Sequence, residues 1–242
     1  WKEKGKTYRI IQVWVPLSRI SPYLIKAVLI AEDDKFWKHE GFDYEAIQKA
    51  IEKDLKAKTY KVGASTITQQ LVRNLFLYRQ QTVGRKLKEM YLAVQVEKSY
   101  SKDKILEMYC NQFELGHGVF GVETASKFYF GKSAMDLNLE EAALIAGILR
   151  GPYIYSPYTN TEATLARRNH VINRMVKEGY ITEPQGEAAK AKPMTVLPWK
   201  RESSDFAAYF FEEVRKYIEK KYGSEVLYRG GLKVYTTLNP KL

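Results

Sequence analysis

Three carboxylates run together at Glu32-Asp33-Asp34, where the apolar spacing of Leu24, Val28 and Leu29 predicts the end of a helix opened by Ser21-Pro22. A helix C-terminus carries the negative end of the macrodipole and favours cations. Acids at that place break a local rule, as functional sites tend to do. Phe36, Trp37, His39 and Gly41 follow and set aromatics and a turn beside the acids, the make-up of a sugar-binding cleft. The opposite violation occurs at Arg85, Lys86 and Lys88, in the first turns of a helix predicted after Thr82. Cations added to free backbone amides make an anion site, and a pyrophosphate gains from both. Glu89 falls on the same face as Arg85 and Lys86. Between these two regions, Gly63-Ala64-Ser65-Thr66-Ile67-Thr68-Gln69-Gln70 opens a helix on which Thr66, Gln69 and Gln70 share a polar face suited to a hydroxyl-rich ligand. Taken singly, each feature also reads as solvated surface; their company favours a site.

Such residues need helices to hold them. Asp43 is placed to cap Tyr44–Thr59, Ser65 to cap Thr66–Leu77, Thr82 to cap Val83–Ser99, and Ser101 to open Lys102–Phe113. Helical spacing continues in Gly121–Phe130, Leu139–Leu149, Glu162–Gly179, a short piece after Thr182, and Asp205–Tyr222. Strand signals are confined to Tyr8–Val15, which ends at Pro16, and to Gly231–Leu238, while the charged, Pro-bearing stretch Lys192–Arg201 reads as a linker. The expectation is a mainly α chain with a minor β element, divided near residue 195.

A chain of 242 residues, 45% hydrophobic and 28% charged, is long enough for a sizeable core and far from a disordered composition. The formal net charge of +11 points to an anionic partner: nucleic acid, a phospholipid surface or a phosphorylated substrate. The single Cys110 excludes a disulfide framework, and His39, His117 and His170 are too scattered for structural zinc. No run approaches the roughly 18 apolar residues of a spanning helix; Ala142–Leu149 is the longest and Gly147 interrupts it. The start at Trp1 and the abrupt end at Leu242 suggest a fragment of a longer chain. The bulky Leu75-Phe76-Leu77-Tyr78 cluster either fills the core or dips into a lipid interface. Gly116-His117-Gly118-Val119-Phe120-Gly121 matches a dinucleotide-binding pattern but follows a predicted helix, not a strand, and is rejected. His117 has no nucleophile elbow to serve.

In order, the segments Glu32 to Gly41, Gly63 to Gln70, Arg85 to Glu89, Lys102 to Asn111 and Arg150-Gly151-Pro152-Tyr153-Ile154-Tyr155-Ser156-Pro157-Tyr158 resemble the five motifs of the family 51 glycosyltransferases. These are the peptidoglycan polymerases of class A, bifunctional penicillin-binding proteins and their monofunctional relatives. Cys110 stands where the fourth motif usually has leucine, a change at a buried helix position. The resemblance implies a lysozyme-like, two-lobed helical domain over residues 1–195, followed at 196–242 by a linker toward a transpeptidase domain absent from this chain. It implies lipid II and the growing glycan as substrates, a membrane surface as partner, and a hydrophobic region, here Leu75–Tyr78, that enters the membrane. It places the catalytic domain on the outer face of the cytoplasmic membrane, anchored by an N-terminal segment outside this chain.

By the same resemblance Glu32 is the general base, and Arg85 and Lys86 neutralise the departing pyrophosphate. Glu89 is the second catalytic glutamate, with three roles open: orienting Lys86, holding a divalent ion, or steadying the cleft. Asp33, Phe36, His39, Ser65, Thr66, Gln69 and Gln70 are expected at the substrate, Arg150 either there or as a brace, and Lys104, Glu107 and Asn111 as braces. No cofactor is required, while Mg²⁺ or Mn²⁺ stays open. The rival with the same fold is a lysozyme-like hydrolase or lytic enzyme, which needs a protonated acid and gives Arg85 and Lys86 no anion to stabilise. A basic nucleic-acid-binding module is disfavoured, because cations alternate with acids and no nucleic-acid fold motif is present.

Overall fold

The protein, as a computed structural model, is described over residues 2–3, 6–7, 12–45, 47–48, 65–77, 82–199, 208–223, 234 and 236. It is mainly helical. Its helices are α1 (Pro22–Glu32), α2 (Ile67–Phe76), α3 (Val83–Ser99), α4 (Lys102–Gln112), α5 (Val122–Phe130), α6 (Leu139–Leu149), α7 (Thr161–Lys177), α8 (Glu183–Ala191) and α9 (Ala208–Tyr222). The minor β element is an antiparallel pair, β1 (Lys2–Glu3) and β2 (Lys6–Thr7), with Lys2 opposite Thr7 and Glu3 opposite Lys6. Two compact units form, Trp1–Leu197 and Pro198–Leu242. In the second, α9 is the described helix.

The first unit is built around α6, whose residues are buried all round except the partly covered Glu141. A helix apolar on every side belongs in an interior, which explains why the longest apolar run of the sequence is a core element. Helices α1 and α7 pack on α6 and on each other, whereas α2 packs with α3 and α4. Glu32, the last residue of α1, lies where these two sets meet.

Caps explain most boundaries. Thr82 and Ser101 accept the amides of Arg85 and Lys104 and open α3 and α4 as expected. At α2 the cap is Thr66, not Ser65: its hydroxyl accepts the Gln69 amide while Gln69 Oε1 accepts the Thr66 amide at 3.0 Å. This reciprocal box satisfies two orphan donors at once, and Ser65 offers no equivalent pair. At α1, Pro22 takes the first position, but Ser21 Oγ donates to the Leu137 carbonyl at 2.8 Å instead of capping.

The strand expected at Tyr8–Val15 is not formed in its described part, residues 12–15. Those residues are a strap clamped to α4 by side chains. Asn111 receives the Val15 amide and donates to the Val15 carbonyl, both at 2.9 Å, and Glu107 accepts from Trp14 Nε1 at 3.0 Å and from the Leu17 amide at 3.2 Å. An apolar, β-branched segment thus finds its hydrogen bonds without a neighbouring strand. Glu107 and Asn111 are braces, as expected, and Lys104 holds Glu107 at 2.6 Å.

The stretch from Lys192 is not free linker up to Leu197. Arg168 donates to the carbonyls of Lys190 and Lys192, each at 2.9 Å, and the Leu197 amide donates to the Tyr129 carbonyl at 2.8 Å. Residues 44–45 and 47–48 are helical after Asp43. The rest of the segment expected at Tyr44–Thr59, together with Gly63, Ala64, Tyr78 and most of Gly231–Leu238, lies outside the described residues. The rejected glycine pattern is a loop: it follows α4, and Gly116, His117, Gly118 and Gly121 all have positive φ.

Candidate active site

Each of the three acids after α1 acquires its own partner. Asp33 Oδ2 accepts the Ile67 amide at 2.9 Å and lies 2.9 Å from His39 Nε2. Ile67 is the first residue of α2, so the carboxylate that offends the C-terminus of α1 sits at the positive end of another helix. Asp34 accepts from Arg174 Nη2 of α7 at 2.8 Å. Glu32 accepts from Gln70 Nε2 at 3.0 Å through Oε2, and Gln70 Oε1 in turn accepts from Tyr109 at 3.2 Å.

Glu32 has the most demanding environment. Its side chain is 2% exposed, its Oε1 is buried without a hydrogen bond, and Arg167 Nη2 of α7 stands 4.0 Å away. Burial pushes the Glu32 carboxyl above the ordinary carboxylate range, helped by the charge of Asp33 and opposed by the Gln70 hydrogen bond and the charges of Arg150 and Arg167. Tyr109 stays a neutral phenol, because burial and then the nearby Glu32 raise its pKa far above normal.

The second cluster is on α3. Glu89, with no exposed side-chain surface, accepts from Lys86 Nζ at 2.5 Å and from Arg85 Nη1 at 3.0 Å. Lys86 also donates to Ser65 Oγ at 3.1 Å, and Gln70 Nε2 approaches the Ser65 carbonyl at 3.4 Å. The Glu32 and Glu89 clusters therefore share the Ser65–Gln70 segment. One buried anion beneath two partly exposed cations leaves a net positive charge facing outward, the electrostatics an anionic group requires.

Not every expected residue lines this site. Phe36 has no exposed surface; it packs edge-on to Trp37 and His39 under the Lys102 ammonium, so it supports the turn and presents nothing to a ligand. Thr66 and Gln69 Oε1 are engaged in the capping box, Gln69 Nε2 is buried without a hydrogen bond, and Thr66 Oγ1 also donates to the Gly41 carbonyl at 2.7 Å. Of the polar face read from sequence, Gln70 alone reaches Glu32. Asp33 and His39 are paired and nearly buried, and Asp33 accepts the first amide of α2. Arg150 caps the end of α6 and is exposed, with its charge felt at Glu32.

A divalent ion does not fit the residues as arranged. Both oxygens of Glu89 are taken by cations, and among the described residues no group of three acidic, histidine or cysteine side chains could hold a metal. Sequence reasoning missed Arg167, Arg174 and Tyr109. A seven-residue spacing puts the two arginines on one face of α7, but nothing local distinguishes that face from a solvated one.

The transglycosylase family profile matches residues 3–176. Penicillin-binding protein 1A of Aquifex aeolicus (strain VF5) is 44% identical over 240 residues, covering 98% of this chain and 33% of that protein. Penicillin-binding protein 2D of Bacillus subtilis (strain 168) is 40% identical over 232 residues, 95% of this chain and 34% of that one. A crystal structure of penicillin-binding protein 1A from Haemophilus influenzae aligns with a TM-score of 0.49 at 26% identity, over 95% of this chain and 24% of that one. The chain spans about a third of the length of the two curated relatives. With its motifs in order and the profile matched across most of its length, the chain belongs to the transglycosylase family.

Proposed function

We propose that this chain is the peptidoglycan glycosyltransferase domain of a class A penicillin-binding protein and polymerises lipid II into β-1,4-linked glycan. Glu32 takes the proton of the acceptor's 4-hydroxyl as that oxygen attacks the donor's anomeric carbon. Attack from the face opposite the pyrophosphate inverts the α-linked donor to a β-glycoside, and undecaprenyl pyrophosphate departs carrying the bonding electrons. That leaving group needs charge neutralisation more than a proton, and Arg85 and Lys86 supply it. Glu89 holds both cations in place, and Ser65 steadies Lys86.

The observation that carries this reading is the pairing of a buried carboxylate having one unpartnered oxygen with a cation cluster tied to it through Ser65 and Gln70. A general base of this kind contributes about 10²–10⁴-fold. A hydrolase would have no use for the cations. The site would work at the outer face of the cytoplasmic membrane, where the polyprenyl substrate lies. No described helix is long and apolar enough to cross a membrane.

The test incubates the purified chain and Glu32→Gln with labelled lipid II in detergent or vesicles, followed by gel separation and muramidase digestion. Muramidase-sensitive ladders from the wild type and none from the variant are expected. Intact lipid II alongside cleavage of preformed glycan would overturn the reading in favour of a hydrolase, and no turnover of either would leave it without support.

A further inference from the structure

The feature without a role so far is the approach of Arg167 to Glu32. Glu32 Oε2 is held by Gln70, whereas Oε1 is buried and makes no hydrogen bond. Arg167 Nη2 stands 4.0 Å from that oxygen, its side chain is 16% exposed, and its Nε is also buried without a partner. The position is built into the helix packing. A Cβ on Gly147 of α6 would meet Arg167 Cγ at 3.1 Å, so the glycine leaves room for the arginine stem, and the Tyr155 ring lies 5.8 Å from the guanidinium carbon.

We propose that Arg167 is a positioning residue for Glu32, holding it as a carboxylate whose Oε1 stays available to the acceptor hydroxyl. The separation is the point of the arrangement. At 4.0 Å the two groups attract but do not hydrogen bond, so the cation favours the ionised form without occupying the lone pair that takes the proton. A direct salt bridge would use up that lone pair.

The other groups facing Glu32 do not substitute for it. Next to it in sequence, Asp33 works the opposite way; from α2, Gln70 is neutral, and from α4, Tyr109 is a neutral phenol. From α7, Arg174 is engaged by Asp34. Arg150 at the end of α6 is a second cation whose charge also acts on Glu32, but it is exposed to solvent and does not fix the position of Oε1. Arg167 is the largely buried cation that stands within 4.0 Å of Oε1 itself, so its charge bears on the oxygen that takes the proton.

This inference rests on Glu32 being the base, and the experiment separates the two ideas. The pH dependence of kcat/KM for lipid II polymerisation is measured for the wild type, Arg167→Gln, Arg167→Met, which keeps the aliphatic stem beside Gly147, and Arg167→Lys. In parallel the Glu32 carboxyl is titrated by carbon NMR in each protein, a readout that needs no turnover. Removing the charge should move the acid limb and the Glu32 titration upward by about one pH unit. The rate near neutrality should fall and recover on the alkaline side, and Arg167→Lys should restore much of the shift. An acid limb and a Glu32 titration unmoved in the neutral variants would overturn the proposal and leave Arg167 a packing residue. If the wild type makes no polymer, the functional reading fails while the NMR titration still decides the electrostatic one.

Discussion

Glu32 has to be charged to act and is buried where charge is disfavoured, and this conflict has a thermodynamic signature. Its carboxyl titrates above the ordinary range because of burial, so folding favours the protonated form. That contribution is fully present below the unfolded carboxylate pKa and is lost as pH rises through the folded value. At neutral pH ionised Glu32 therefore costs stability. Glu32→Gln keeps shape and the Gln70 contact but removes the charge. It should abolish polymerisation, by at least about 10²-fold, while raising Tm at pH 7 by about 2–4 °C. The gain should shrink toward pH 4, and a variant melting below the wild type at pH 7 would contradict the argument. For the wild type, kcat/KM should fall with decreasing pH through a value above that of an ordinary glutamate. Glu32, Arg85 and Lys86 were legible in the sequence because each violates the helix dipole. Arg167 was not, because an arginine inside an amphipathic helix breaks no local rule and its partner is supplied by a helix distant along the chain.

Between the two charged clusters the elements are locked by a few close approaches, and two substitutions probe them. Gly41 has φ +97°, and a Cβ there would come within 2.9 Å of the Ala93 carbonyl carbon and the Val94 amide of α3. Its own carbonyl accepts from Thr66, the cap of α2. Gly41→Ala combines a left-handed backbone with a clash against main chain and should cost about 2–4 kcal/mol in denaturant unfolding. A loss below about 0.5 kcal/mol, the level of a neutral surface change, would show that the turn relaxes freely. Glu89→Gln removes the anion between Arg85 and Lys86. Breaking a buried pair costs about 3–5 kcal/mol when the remaining charge stays buried, but Lys86 is 27% exposed and Arg85 17%, so about 2–3 kcal/mol is expected. The activity deficit should not respond to added Mg²⁺; rescue by the ion would reopen a metal role for Glu89. Most helices were legible from caps and spacing. The strap at 12–15 was not, since its partners are the side chains of Asn111 and Glu107, and a run of β-branched residues does not announce whether its hydrogen bonds go to a strand or to side chains.

At the scale of the molecule the question is where the catalytic unit ends. Composition suggested residue 195, inside a charged stretch with prolines. The chain nevertheless remains docked for two residues more. Met194 and Val196 pack on the core, the Leu197 amide donates to Tyr129 at 2.8 Å, and Tyr158 Oη donates to the Leu197 carbonyl at 2.9 Å. Prolines mark a segment unable to continue a helix, and that says nothing of whether its backbone is pinned from outside. A chain ending at Leu197 should therefore keep the melting transition of the first unit and polymerise lipid II, whereas one ending at Thr195 loses both hydrogen bonds and the Val196 contact. That loss comes to about 2–3 kcal/mol, or roughly 5–10 °C for a unit of this size. Calorimetry on the two truncations decides it. Equal melting would move the boundary back to residue 195 or earlier, and unfolding of the longer piece would mean that the first unit depends on the second to fold.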